Sequence, residues 1–335
     1  MKILFTIYFL TLNTIIGLGC TTFVLKNENT LVFGRNLDWV SDDGVVVVNK
    51  RNIQKTALIF PPEVATKWTS KYGSVTFNQF GKEMPFGGMN EKGLVIEIML
   101  VTGNYPNFDS RTAVNELQWI QYQLDNAKTI DEVIESDKTI RISKINQNLH
   151  FLICDKLGNV AVIEFDKKGM HVYKGDDLPI AVLENDRYAT SLRKNERNTS
   201  CRFRTASKMI EQYKGVSDTS AIEYSFKILD KVALDGSWSI VYDIKNMEIH
   251  FKTSSDRSLR KIKINDFDFN CKNGSEMYDL KRKESGSITN YFINYSSKLN
   301  TSKFDAALKS NGIQLPKSIL DRFYNYNKSC ECKEE

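Results

Sequence analysis

Cys20 stands directly after an apolar run that begins at Ile3 and ends in Gly17-Leu18-Gly19. Small residues at 17 and 19 fill the −3 and −1 positions of a signal-peptidase site, so the sequence predicts a leader over residues 1–19 and a mature chain that begins with a cysteine. The run is too short and too polar to span a bilayer comfortably, with Thr6, Thr11, Asn13 and Thr14 inside it. An N-terminal cysteine carries its own base, because its free α-amine titrates at about 7.7–8.0 and lies within reach of its own thiol, directly or through one water. Such chemistry needs no histidine, and the chain has three, at 150, 171 and 250. The competing reading of the same junction is a lipidated cysteine that anchors a non-catalytic lipoprotein. Lipoprotein signals normally carry a leucine-like residue at −3, where this chain has Gly17.

The elements that must position Cys20 begin with Cys20-Thr-Thr-Phe-Val-Leu-Lys26, a polar turn over Asn27-Glu-Asn-Thr30, and Leu31-Val-Phe-Gly-Arg-Asn-Leu-Asp38. This reads as a hairpin centred near Glu28, which sets Cys20 opposite residues 35 to 37 and brings Arg35 and Asp38 to the mature N-terminus. The register, and so the face each side chain takes, is left open. A guanidinium beside the thiol favours its ionised form, and a carboxylate near the α-amine orients it. The structural alternative is an exposed Arg-Asp pair at a hairpin end.

Further along, Val45 to Val48 suits a buried strand, and Pro85–Met89 with Leu94–Leu100 forms a second hairpin, Gly93 supplying the positive φ of its turn. Ala113, Leu117, Ile120, Leu124 and Ala127 recur at helical spacing and predict a helix over 113–127. Thr129 with Glu132 reads as a capping box for a second, short helix. Strands return at 149–154, 159–165 and 169–173, helices at 201–210 and 220–231, and a hairpin at 238–243 and 247–252. Antiparallel hairpins separated by paired helices predict a layered α+β domain over 20–285. From 286 to 335 the chain is rich in Ser, Asn, Lys and Tyr and reads as a peripheral tail.

The 335 residues are 41% hydrophobic and 26% charged, which excludes disorder and collagen-like repetition. Lysine plus arginine number 46 against 41 acids, a net +5 without a basic block, so no nucleic-acid partner is expected. No Cys-x-x-Cys pair occurs and no two histidines share a ligand spacing, so neither a metal nor another cofactor is expected. Of the six cysteines, Cys154 sits in an apolar strand as a buried thiol. Export would permit a disulfide, with Cys271 joined to Cys330 or Cys332 as the expected pair. Cys201, flanked by Arg202 and Arg204 at a helix start, is a rival nucleophile that lacks a base. Five Asn-x-Ser sequons, at 198, 273, 294, 300 and 327, matter only in a host that glycosylates them.

Five segments in order, Cys20-Thr-Thr-Phe, Phe33-Gly-Arg-Asn-Leu-Asp38, Gly88-Met-Asn-Glu-Lys-Gly-Leu94, Asn115–Asp125 and Trp238-Ser-Ile-Val-Tyr-Asp243, together resemble the choloylglycine hydrolase family. That family contains bile salt hydrolases and penicillin V acylases, and the chain is most similar to its exported Gram-negative branch. The resemblance implies a four-layer αββα N-terminal-nucleophile sandwich with two antiparallel sheets. It also implies roles: Cys20 as nucleophile, Arg35 as the guanidinium beside it, Asp38 as the carboxylate on the α-amine, Asn185 as an oxyanion-hole donor and Arg202 as a second active-site arginine.

The activity implied is hydrolysis of a small-molecule linear N-acyl amide by a periplasmic or secreted protein with no stable membrane insertion after signal cleavage. An acyl-homoserine lactone or fatty-acid amide acylase of the same fold is the alternative. Three departures bear on substrate. Leu100 replaces an asparagine or tyrosine beside the site, and Glu184 replaces a threonine, putting a charge near the acyl pocket. Between Asn185 and Arg202 lie sixteen residues, where Gram-positive members insert a tetramer-forming arm; a homo-oligomer, if formed, lacks that arm.

Overall fold

The computed structural model describes residues 19–199, 201–213, 220–234 and 238–333. The expected leader lies outside them except for Gly19. Among the described residues, two large sheets carry the molecule. The first runs, edge to edge, through Val182–Leu183, Thr21–Lys26, Leu31–Leu37, Trp238–Asp243, Glu248–Thr253, Arg260–Lys263 and Gly286–Ser287, antiparallel except at its last pair. The second runs through Gly169–Lys174, Val160–Asp166, Leu149–Cys154, Val95–Leu100, Gly87–Asn90, Ser74–Asn78, Val45–Asn49, Glu276–Asp279 and Ile293–Asn294, antiparallel throughout.

The central strands of both sheets are buried on both faces, which is why Val45–Asn49 and Leu149–Cys154 are continuous apolar runs rather than alternating ones. One face of each sheet meets the other sheet. Phe77 of the second sheet packs against Trp238 and Phe251 of the first, with ring centroids 6.1 and 5.2 Å apart. The outer faces are covered by helices: Arg202–Gln212 and Ala221–Val232 on the first sheet, and Glu116–Asn126 on the second. This is the αββα sandwich, with helix, sheet, sheet and helix as its four layers.

The helices begin where side chains can satisfy their free N–H groups. Ser220 and Glu223 make a reciprocal capping box. Thr129 accepts from Glu132 N–H, but the Glu132 carboxylate accepts from Lys128 N–H rather than from the cap residue itself. The helix expected over 113–127 spans Glu116–Asn126. Its first expected turn is instead a strand, Thr112–Val114, paired in parallel with Ile140–Ile142, and Asn115 starts the helix by accepting from the N–H groups of Leu117 and Gln118. The helix Tyr188–Glu196 carries no strong apolar period and was not expected.

Residues 286–333 add short strands to both sheets and then two helices, Ser297–Ser310 and Lys317–Tyr326. Lys303 Nζ lies 2.6 Å from both Asp43 and Asp279, and Phe304 packs on Phe80. A disulfide joins Cys271 to Cys332. No described helix is long and apolar enough to cross a membrane.

Candidate active site

The hairpin register is fixed by the turn, where Asn27 Oδ1 accepts from the N–H groups of Asn29 and Thr30. Thr21 then pairs with Asn36 and Thr22 with Arg35, and one further step sets Cys20 against Leu37. Side chains alternate across a strand, so Thr22 and Arg35 share one face with Cys20, and Asn36 takes the other. Thr22 Oγ1 accordingly reaches Met99 of the second sheet, while Asn36 Nδ2 donates to Leu229 O in the covering helix.

Cys20 is 2% exposed. Burial pushes its thiol above the usual value, and Arg35 opposes this most strongly by charge. The Asp38 carboxylate pushes the thiol up, whereas the Asp38 backbone N–H, donating to the sulfur, and the Arg202 guanidinium bring it down. Asp38 follows the end of its strand and is itself buried.

Arg202 opens its helix, and its Nη2 donates to Asn185 Oδ1 at 3.1 Å. Asn185 follows the edge strand Val182–Leu183, whose pairing with Thr22 and Phe23 carries the chain to the hairpin. Its Nδ2 donates to Leu100 O at 3.0 Å. The structure thus gathers Cys20, Arg35, Asp38 and Arg202, and Asn185 joins them through Arg202. A Cβ on Gly19 would fall 2.5 Å from Arg202 Nη1 and 2.2 Å from Leu234, so the residue before Cys20 is pressed against this cluster.

Beside it opens a cleft of about 640 Å³ whose lining includes Trp39, Val40, Leu234, Ser239, Arg257 and Lys281. Trp39 packs edge-on against Phe86 and donates from its indole nitrogen to Asn311 of the C-terminal segment.

Two contributors were not singled out as site residues from the sequence. Glu97 forms a 2.6 Å ion pair with Arg35 Nε, both side chains being fully buried, and Tyr242 donates its hydroxyl to the same carboxyl group. A lone acid inside Val95-Ile-Glu-Ile-Met-Leu100 was the available signal. Glu184 does not present a free charge to an acyl group. It is buried, one oxygen accepting from Phe203 N–H at 3.3 Å and the other from Ser191 Oγ–H at 3.1 Å, so it caps the helix that Arg202 begins.

Cys201, the rival thiol, serves as N-cap of that helix by accepting from Arg204 N–H, and burial pushes its thiol up. All three histidines have carboxylate partners elsewhere, His150 with Glu164, His171 with Asp166 and His250 with Glu248. Among the described residues no group of three or more His, Cys, Asp or Glu could hold a metal ion. Chemically, the cluster offers a thiol under two guanidinium groups with an amide donor nearby, an arrangement suited to stabilising negative charge on sulfur and on an adjacent oxygen.

The chain is 30% identical over 185 residues to penicillin V acylase from Pectobacterium atrosepticum, covering 47% of this chain and 46% of that protein. It is 27% identical over 179 residues to a bile salt hydrolase/transferase from Clostridium perfringens, covering 50% of this chain and 53% of that one. The chain therefore spans about half the length of the curated relatives it matches.

In fold, it resembles the structure of penicillin V acylase from Agrobacterium tumefaciens with a TM-score of 0.71 at 24% identity, over 83% of this chain and 98% of that one. It resembles a mutant of conjugated bile acid hydrolase from Clostridium perfringens with a TM-score of 0.63 at 18% identity, over 82% and 99%. The model of the linear amide C–N hydrolases matches residues 20–223, starting at Cys20 and covering more than half the sequence, and the chain belongs to this choloylglycine hydrolase family.

Proposed function

We propose that this chain is an exported amidohydrolase that cleaves linear N-acyl amides through a thioester on Cys20, its first residue once residues 1–19 are removed. The observation that carries the reading is the convergence of Arg35, Asp38 and Arg202 on one buried thiol that directly follows Gly17-Leu18-Gly19 in the sequence. A role in packing alone would call for none of these charges.

In the reaction, the freed α-amine of Cys20 takes the thiol proton, directly or through one water, and Asp38 holds the resulting ammonium. The thiolate attacks the amide carbon while the charges of Arg35 and Arg202 stabilise it. Negative charge then develops on the carbonyl oxygen, and Asn185 Nδ2 exchanges its bond to Leu100 O for one to that oxygen. The ammonium returns its proton to the leaving nitrogen, the C–N bond breaks, and water hydrolyses the thioester with the amine as general base. The amide substrate is a small molecule held beside Trp39 and Leu234, and the protein acts in the periplasm or outside the cell.

The names of the relatives point to penicillin V and conjugated bile salts as first substrates, with acyl-homoserine lactones and fatty-acid amides completing the panel. The test combines intact mass of the exported protein with this panel. A chain that starts at unmodified Cys20 and loses all turnover as Cys20→Ala, with its fold retained, is the expected result. Unchanged turnover in that variant would remove the Cys20 mechanism, and an acylated Cys20 would leave an anchored lipoprotein.

A further inference from the structure

Behind Cys20, between the two sheets, lies a small group of buried polar side chains. Arg35 Nε makes a 2.6 Å ion pair with one Glu97 oxygen, Arg35 Nη2 donates to Ile98 O at 3.1 Å, and Tyr242 donates to the other Glu97 oxygen. All three side chains are fully buried. The cradle is shaped for the carboxyl group: Gly87 lies directly across the strand pair, and a Cβ there would fall 2.1 Å from the Glu97 carboxyl carbon. The other cross-strand neighbour is Leu152. The titratable groups facing Glu97 are therefore Arg35 and Tyr242, both from the opposite sheet. Arg35 in turn faces Cys20, where Asp38 and Arg202 also act.

We infer that Glu97 is a positioning residue that fixes the Arg35 guanidinium and, by gaining or losing a proton, sets the net charge behind the Cys20 thiol. This rests on the reading of Cys20 as nucleophile. Ionised Glu97 makes a neutral pair with Arg35 and cancels most of the field that favours a thiolate. Protonated Glu97 leaves the guanidinium uncompensated, and the thiolate is favoured. Burial raises the Glu97 carboxyl to about 7, against the opposing pull of Arg35 and Tyr242, so the exchange falls in the working range of pH. Tyr242 is held well above its usual value by burial and by Glu97, and stays a donor throughout.

The mature protein, cleaved before Cys20, is alkylated with iodoacetamide across pH, and modification is read at the Cys20 peptide by mass so that the thiols of Cys154, Cys201 and Cys330 do not contribute. In the unsubstituted protein the rate rises in two steps, one of them near pH 7. Glu97→Gln keeps the shape and removes the charge. The step near 7 disappears, the thiol pKa falls by about one unit, and alkylation at pH 8 is about tenfold faster. Tyr242→Phe withdraws a donor that favours the ionised carboxyl, so the same step moves to higher pH. A Glu97 that merely holds the sheets together would lower the melting temperature and leave the rate–pH curve alone. Curves superimposable on that of the unsubstituted protein in the folded variants overturn the inference, and Tyr242→Phe decides alone if Glu97→Gln does not fold. Turnover retained by Cys20→Ala would instead strike the nucleophile assignment, which the alkylation curve does not test.

Discussion

Asn185 offers a sharp separation of chemistry from folding. Its amide group bridges two elements, Nδ2 to Leu100 O at 3.0 Å and Oδ1 from Arg202 Nη2 at 3.1 Å, in a part-buried setting. In Asn185→Ala both partners lose a bond but keep access to water, so stability falls by about 1 kcal/mol. If the amide N–H is the donor to the developing oxyanion, its loss removes about 2.7–4 kcal/mol of transition-state stabilisation, about 10²–10³ in kcat. Because the bond to substrate forms only as charge develops, kcat and kcat/KM fall together. Asn185→Asp supplies the control. A carboxylate there gains a charged pair with Arg202 but gives up the donation to Leu100 O, so stability falls by no more than in Asn185→Ala, while negative charge where the oxyanion forms lowers kcat further. The assay is steady-state hydrolysis of whichever amide of the panel is cleaved, alongside thermal unfolding. A folded Asn185→Ala that keeps kcat within tenfold, or an Asn185→Asp more active than it, would refute the donor assignment.

Two further predictions concern the supports of the site. Glu184→Ala leaves Phe203 N–H without its acceptor at the start of the Arg202 helix and costs about 1–3 kcal/mol in urea unfolding, whereas Glu184→Gln retains an acceptor and costs about 1 kcal/mol or less. Lys55 Nζ sits 2.7 Å from Glu83 and 2.8 Å from Asp125, all three buried, so Lys55→Met leaves Asp125 with hydrogen-bond donors but no cation and Glu83 with Lys82 alone, and lowers stability by about 3 kcal/mol by the same measurement.

The parts of this arrangement that were legible in the sequence are those set by local rules. A tight polar turn with residues 27–30 and two apolar flanks gives a hairpin with Cys20 opposite residues 35 to 37 by counting, while the register itself, Thr22 with Arg35 and Thr21 with Asn36, is left open by that count and is set by the turn. The order of strands was not legible. The edge strand Val182–Leu183 joins Thr21–Lys26 from far along the chain, and Glu97 meets Arg35 across the gap between two sheets, a contact with no periodic trace. The first turn of the 113–127 segment went to a strand because Thr112–Val114 could bond to Ile140–Ile142, a partner that helical spacing does not register. Glu184 was read as a charge toward the substrate because its sequence position alone gives no direction. Phe203 N–H and Ser191 Oγ–H, both distant in sequence, turn it inward.

Position 100 shows why a substituted residue need not disable a site. A leucine where the sequence resemblance implies an asparagine or tyrosine removes a polar side chain, and on that reading alone the oxyanion region is altered. The group that holds Asn185 is, however, the Leu100 carbonyl, which every residue type supplies. Its place is fixed by the pairing of Leu100 with Leu149 in the second sheet, so the hold on Asn185 survives the change of side chain. What the substitution alters is the polarity beside that amide. The leucine side chain is half-buried and packs on the apolar core, where it can offer no hydrogen bond to a bound molecule. A substrate group that relied on a donor or acceptor at this point would lose it, while an apolar acyl portion would lose nothing. Leu100→Asn is therefore expected to shift turnover across the amide panel away from apolar acyl portions while leaving the backbone carbonyl and Asn185 in place, and steady-state hydrolysis of that panel checks it.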